Sequence, residues 1–191
     1  MKYKIVAPIP LLQPYVKHFW FLDITEADIP FSQHILPYGW FELFFFLNGE
    51  KDDGVFTGQL SQSFSLNCSK PYKAVGISLQ PWTGNSLFNI PANHFTDSSI
   101  NLNDLDKNTR LSGQLFEAKN ETEILELLGK YLLDKISTYQ ADNISSVIAS
   151  TILNNPADYK KHKSIVSKTG LSRRRIEQRF LASTGNALSC R

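Results

Sequence analysis

Three consecutive arginines, Arg173, Arg174 and Arg175, precede Gln178 and Arg179 within Ser164 to Gly185, SIVSKTGLSRRRIEQRFLASTG. Guanidinium and carboxamide groups are the side chains whose paired hydrogen bonds match the base edges of a DNA major groove. Spacing decides whether they can act together. If Ser172 caps a helix, Phe180 lies about 40 degrees from Ile176, and Arg174 and Gln178 lie at about 160 and 200 degrees. The apolar pair and the polar pair then occupy opposite faces, with Arg175 and Arg179 on the flanks. Thr169-Gly170-Leu171 reads as the turn from a shorter helix, whose Ile165 and Val166 face Ile176 and Phe180. Three arginines on a capped N-terminal turn oppose the helix dipole, a cost that a facing phosphate would offset. The pattern is that of a helix-turn-helix presenting a recognition helix.

Other chemistry is sparse. The four histidines, His18, His34, His94 and His162, are scattered, and no HxH pair or HExxH sequence suggests a metal site. No glycine-rich phosphate loop or GxSxG elbow occurs, and Ser, His and Asp residues show no triad spacing. The expectation is a chain that is not an enzyme and carries no cofactor. Aromatic residues crowd the first hundred positions and serve equally as core or as the walls of a ligand pocket. For a pocket, the candidates are Trp40 and Trp82 with the polar residues His34, Glu42 and Gln80, which interrupt apolar stretches.

The elements that must position these residues fall into two textures. Up to about residue 100, β-branched and aromatic runs alternate with Pro and Gly. Strands are expected at Tyr15 to Leu22, His34 to Leu36, Trp40 to Leu47, Gly54 to Gly58, Ser63 to Asn67 and Tyr72 to Leu79. Trp40 to Leu47 is nearly all apolar, which predicts burial on both faces and a turn at Asn48-Gly49. Short helical turns fit Pro10 to Tyr15 and Gly84 to Phe88. After Asp97, helical periodicity predicts helices over Glu121 to Ile136, capped by Asn120, and over Asp142 to Leu153, stopped by Asn154-Asn155-Pro156. Pro156 to Lys163 reads as a basic linker.

Charge follows the same division. Residues 160–191 hold nine basic side chains against one acidic, whereas the first 159 hold eleven basic and seventeen acidic, within a net charge of +2. A basic block on a mildly acidic body points to a polyanion, nucleic acid before membrane. Cys68 and Cys190 form no CxxC, the N-terminus lacks a signal-peptide core, and no apolar run is long enough to span a bilayer. A reduced, cytoplasmic protein is expected.

Lys163 to Gly185 resembles the first helix-turn-helix of AraC/XylS-type transcription regulators, through Gly170-Leu171-Ser172, Ile176, Phe180 and Gly185. Upstream, His34 to Gly39, Phe41 to Leu43, Gly58-Gln59, Gly76 to Pro81 and Ile90 to Asp97 resemble the N-terminal domain that precedes this module in one bacterial subgroup. The resemblance implies that Arg174 and Gln178 read bases, Arg174 suited to guanine and Gln178 to adenine. It also implies that Lys168, Arg173, Arg175 and Arg179 contact phosphate around the Ser172 cap. The chain departs from the family in having Gln178 where Arg is common, and Ala187-Leu188 after Gly185. Six residues follow Gly185, so the family's linker helix and second helix-turn-helix are lacking, and a C-terminally truncated reader is expected.

The fold expected is α+β. A β-rich, barrel- or sandwich-like sensory and dimerisation domain with a helical connector covers 1–140, and a partial all-α helix-turn-helix domain covers 141–191. The expected partners are double-stranded DNA, a small-molecule effector and a second copy of the chain, with no membrane. Two alternatives remain: a truncated interaction module that sequesters partner subunits, and a cupin-like small-molecule enzyme.

Overall fold

The computed structural model describes residues 1–48, 54–107, 109–137, 143–154 and 159–187. Side-chain alternation sets its central strands. In β4 (Phe41–Phe46), Phe41, Leu43 and Phe45 are buried, and Glu42, Phe44 and Phe46 take the other face, as a pleat of period two requires. Phe46 is 43% exposed and Phe44 half-buried, so the outer face of this strand is only partly covered rather than buried like the inner one. The doubly buried strand is β7 (Tyr72–Leu79), enclosed from Ala74 to Leu79. It lies between β2 (Val16–Ile24) and β4, and its outer positions are the small residues Gly76 and Ser78, over which neighbours close. A Cβ on Gly76 would stand 2.1 Å from the Trp20 indole.

The remaining strands are β1 (Lys2–Val6), β3 (Phe31–Ile35), β5 (Val55–Thr57), β6 (Phe64–Cys68) and β8 (Ser99–Asn101). Six of these eight strands form an antiparallel sheet in the order β1-β2-β7-β4-β5-β8, and β3 pairs with β6 as a separate ribbon. The expected strands are all present, with ends shifted by a few residues. The two not expected, β1 and β8, are sheet edges. Edge strands need bury little, and β8 is too short to display a period. The Asn48-Gly49 turn runs into residues outside the described set.

The helices are α1 (Thr83–Phe88), α2 (Leu102–Leu105), α3 (Leu111–Glu117), α4 (Glu121–Ser137), α5 (Asn143–Asn154), α6 (Tyr159–Lys168) and α7 (Arg173–Thr184). Asn120 caps α4 as expected, its side-chain oxygen accepting from the Glu123 N–H at 3.0 Å. Ile124, Leu128 and Leu132 of α4 and Leu111 and Leu115 of α3 join Phe41, Leu43, Phe45, Phe56 and Ile77 in the main core. This places helices on one face of the sheet and leaves the Glu42 face opposite. No helix of the described residues is long and apolar enough to cross a membrane.

A second, smaller core joins Ile148 and Ala149 of α5 to Ile176 and Phe180 of α7, with Ile165, Val166, Leu171 and Trp82 packed around them. Gly170 holds the turn between α6 and α7 at φ +68, a conformation that costs an L-residue steric strain but glycine none. The basic linker expected over Pro156 to Lys163 is helical from Tyr159 onward. Tyr159 to Lys163 contains no Gly or Pro, and lysine is a good helix former, so its polarity does not mark a break. The domain boundary expected near residue 140, the stop at Asn155-Pro156 and Cys190 lie outside the described residues.

Candidate functional site

Helix α7 has the two faces its sequence requires. Ile176 and Phe180 are 1% and 6% exposed, whereas Arg174 and Gln178 are exposed. Ser172 is the N-cap, its hydroxyl accepting from the Arg175 N–H at 3.4 Å. Among the expected phosphate contacts, Arg175 and Lys168 are exposed and Arg179 is half-buried. Arg173 differs: its Nε donates to the Glu177 carboxylate at 2.8 Å, one helical turn on. An exposed pair of this kind contributes only a few tenths of a kcal/mol to the helix, about 0.3–0.5. It does direct this guanidinium along the helix. Lys168 ends α6, where a cation also favours that helix's dipole.

The far end of α7 is docked on the β-rich part. Asn85 of α1 donates to the Ala182 carbonyl at 3.2 Å, and Asn186 donates from Nδ2 to the Gly39 carbonyl at 3.3 Å. Gly185 terminates the helix at φ +69. A Cβ there would lie 2.4 Å from the Gln59 Oε1. Gly185 thus serves two needs at once, a left-handed cap and a close approach to Gln59.

On the sheet face opposite the helices, one row crosses four strands: His18, Ser78, Glu42 and Thr57 stand side by side on β2, β7, β4 and β5. The Glu42 carboxylate accepts from Trp20 Nε1 at 2.9 Å, Trp40 Nε1 at 2.7 Å and Ser78 Oγ at 2.7 Å. Burial pushes its carboxyl pKa up, against the pull of these three donors and of Lys17. Lys17 sits where a register shift interrupts β2, and its ammonium lies over the Trp40 ring at 3.4 Å. Burial lowers the Lys17 pKa, and burial with the Lys17 charge lowers that of His18, whose Nε2 is 3.0 Å from Ser78 Oγ. Tyr38 stacks on Trp40 at 4.8 Å between ring centroids.

Hydroxyl, imidazole and carboxylate are the parts of a hydrolytic triad, but their order differs. Here the carboxylate meets the hydroxyl instead of orienting the imidazole, and Ser78 is 1% exposed. The arrangement is a hydrogen-bond chain across the sheet.

Of the five expected pocket residues, the structure brings together Glu42 and Trp40. His34 is exposed on the ribbon, opposite Ser65. Gln80 donates to the Gln13 carbonyl at 3.4 Å, tying two loops. Trp82 donates to the Pro14 carbonyl at 2.9 Å and packs in the smaller core. Ser78, His18 and Lys17 are not among the residues expected, and Trp20 is expected only as one of the aromatics that could line a pocket, because cross-strand neighbours depend on register, which a single strand's sequence does not reveal. Gln59, 3% exposed, is likewise unexpected. Among the described residues no group of three or more His, Cys, Asp or Glu side chains could hold a metal ion.

No curated protein and no solved structure matches the chain. A protein-family model, Domain of unknown function (DUF6597), matches residues 4–101. That span runs from within β1 to the end of β8, takes in the Glu42 row and Gln59, and stops short of α7. On that match over half its length, the chain belongs to the DUF6597 family.

Proposed function

We propose that the chain is a DNA-binding transcription regulator of the AraC type, with α7 as its reading helix and the β-rich region as its sensory domain. One observation carries the reading: Arg174 and Gln178 are exposed on the face of α7 opposite the buried Ile176 and Phe180. Arg174 can present its fork to guanine O6 and N7, and Gln178 its carboxamide to adenine. Arg175, Arg179 and Lys168 would engage phosphates, which fix register without specifying sequence. The sensory role is supported by the seam that joins Gly39 and Gln59 to the end of α7, through which a change in the sheet region can move the reader.

Gel retardation at low salt, on a randomised duplex pool, tests this. Arg174→Ala is expected to cost about 1–3 kcal/mol at one base position and relax preference there. Arg175→Ala is expected to weaken all sequences alike and lower the salt slope by about one. Absence of any retardation at micromolar protein would sink the reading.

A second reading, an interaction module that pairs with another chain, is favoured by exposed Ile5, Ile9 and Leu11 beside an apolar cleft on α4. Association without retardation would select it.

A further inference from the structure

An open cleft of about 380 Å³ lies along the seam between the β-rich region and the end of α7. One wall is Tyr38, Gly39, Gln59 and Thr96, and the other is Gly185 and Asn186. The Gln59 side chain is almost wholly buried, yet its Nε2 has no hydrogen-bond partner among the described residues. Its Oε1 receives a long bond from Thr96 Oγ1, at 3.5 Å. A buried amide N–H left unpaired costs about 1–3 kcal/mol, so an oxygen acceptor entering the cleft would be bound by a group that already lacks one.

The lining also selects against charge. Among the described residues no Lys, Arg, Asp or Glu lines the cleft. Asp97 stands behind Ser61, which donates to it from both backbone and hydroxyl at 2.7 and 2.5 Å. An anion would find no cation on the wall and a cation no carboxylate, because Asp97 lies outside the lining and is turned to Ser61. What the walls do offer is two carboxamides with different parts to play: Gln59 has its Nε2 donor unpartnered, and Asn186, whose Nδ2 donates to the Gly39 and Thr184 carbonyls, has its Oδ1 left to accept. The complement of a carboxamide is another amide edge.

We propose that this cleft is a binding site for a small neutral molecule bearing a cyclic amide or imide edge. Its carbonyl accepts from Gln59 Nε2, and its occupancy fastens the end of α7 to the sheet domain. Because the site has one wall on each side of the seam, a bound molecule favours the docked arrangement over any other. That this alters DNA reading rests on the function proposed above; the binding itself does not.

The test uses the full chain with 2-pyrrolidinone and uracil as probes and acetate as the charged control, read by the amide resonances of Gln59, Gly185 and Asn186. Both cyclic amides are expected to shift the Gln59 side-chain amide and to slow exchange of the Gly185 and Asn186 N–H groups, and acetate to do neither. Gln59→Leu keeps the side chain's bulk, and binding should weaken roughly three- to tenfold, the loss expected for one hydrogen bond. Failure of both probes to shift these resonances, or equal binding by Gln59→Leu, overturns the site. Gel retardation is a separate readout, so loss of DNA binding with the probe shifts intact would count against the reader alone.

Discussion

Glu42 shows how one carboxyl can tie a sheet together and make its stability depend on pH. Burial raises its pKa on folding, so the folded chain holds this proton more tightly than the unfolded chain does. The stabilisation is therefore fully present below the ordinary value of 4.5 and is lost as pH rises through the raised folded value. Glu42→Gln supplies a permanently neutral group of the same shape. In urea titrations the variant and the native chain should have parallel midpoints at acid pH, and the variant should gain on the native chain as pH rises above 4.5. A constant difference at every pH would show that the charge of Glu42 is not the cause.

Helix α7 is the element most legible in the sequence, because a cap, a left-handed glycine and an apolar pair four residues apart are all local signals. Its two end glycines look alike in sequence, and the structure separates them. Gly170 has φ +68 and open space within 4 Å of where a methyl group would stand, whereas Gly185 has φ +69 and Gln59 in the way. Gly170→Ala is expected to lose about 1–2 kcal/mol, the left-handed backbone cost alone. Gly185→Ala should lose more, and Gln59→Gly should recover part of the difference in a double-mutant cycle. Equal losses at the two glycines, by chemical denaturation, would mean that the Gln59 contact contributes nothing. The same comparison marks the limit of sequence reading. Positive φ can be anticipated from Gly-Leu-Ser, but the approach of Gln59 to Gly185, far apart along the chain, is set by how the two regions dock. Register hides the Glu42 partners for a related reason: Trp20 and Ser78 come from strands distant in sequence. Strand β4 departs from expectation because composition does not tell a partly covered face from a buried one when its residues are Phe.

Across the whole molecule, two cores share one seam. The larger one unites the sheet with α3 and α4, and the smaller one holds α5, α6 and α7 together. Phe180→Ala removes the largest of the buried side chains of the smaller core, a loss of about 3–5 kcal/mol. The smaller core adjoins the larger along one side, where α7 packs on α1 and on the turn Ala92–Phe95, so the damage should stay on that side. Hydrogen exchange is expected to accelerate throughout α5 to α7 while β2, β4 and β7 keep their protection. Uniform acceleration would instead show that the cores unfold as one.

The three tryptophans divide along the same seam. Trp20 and Trp40 donate to Glu42, and Trp82 packs against the smaller core while donating to Pro14. Indole emission depends on the polarity around the ring, so the chain carries built-in optical probes for its two halves. With Trp20 and Trp40 replaced by phenylalanine, the colour of the remaining fluorescence would follow the undocking of α7 in real time, with no label attached.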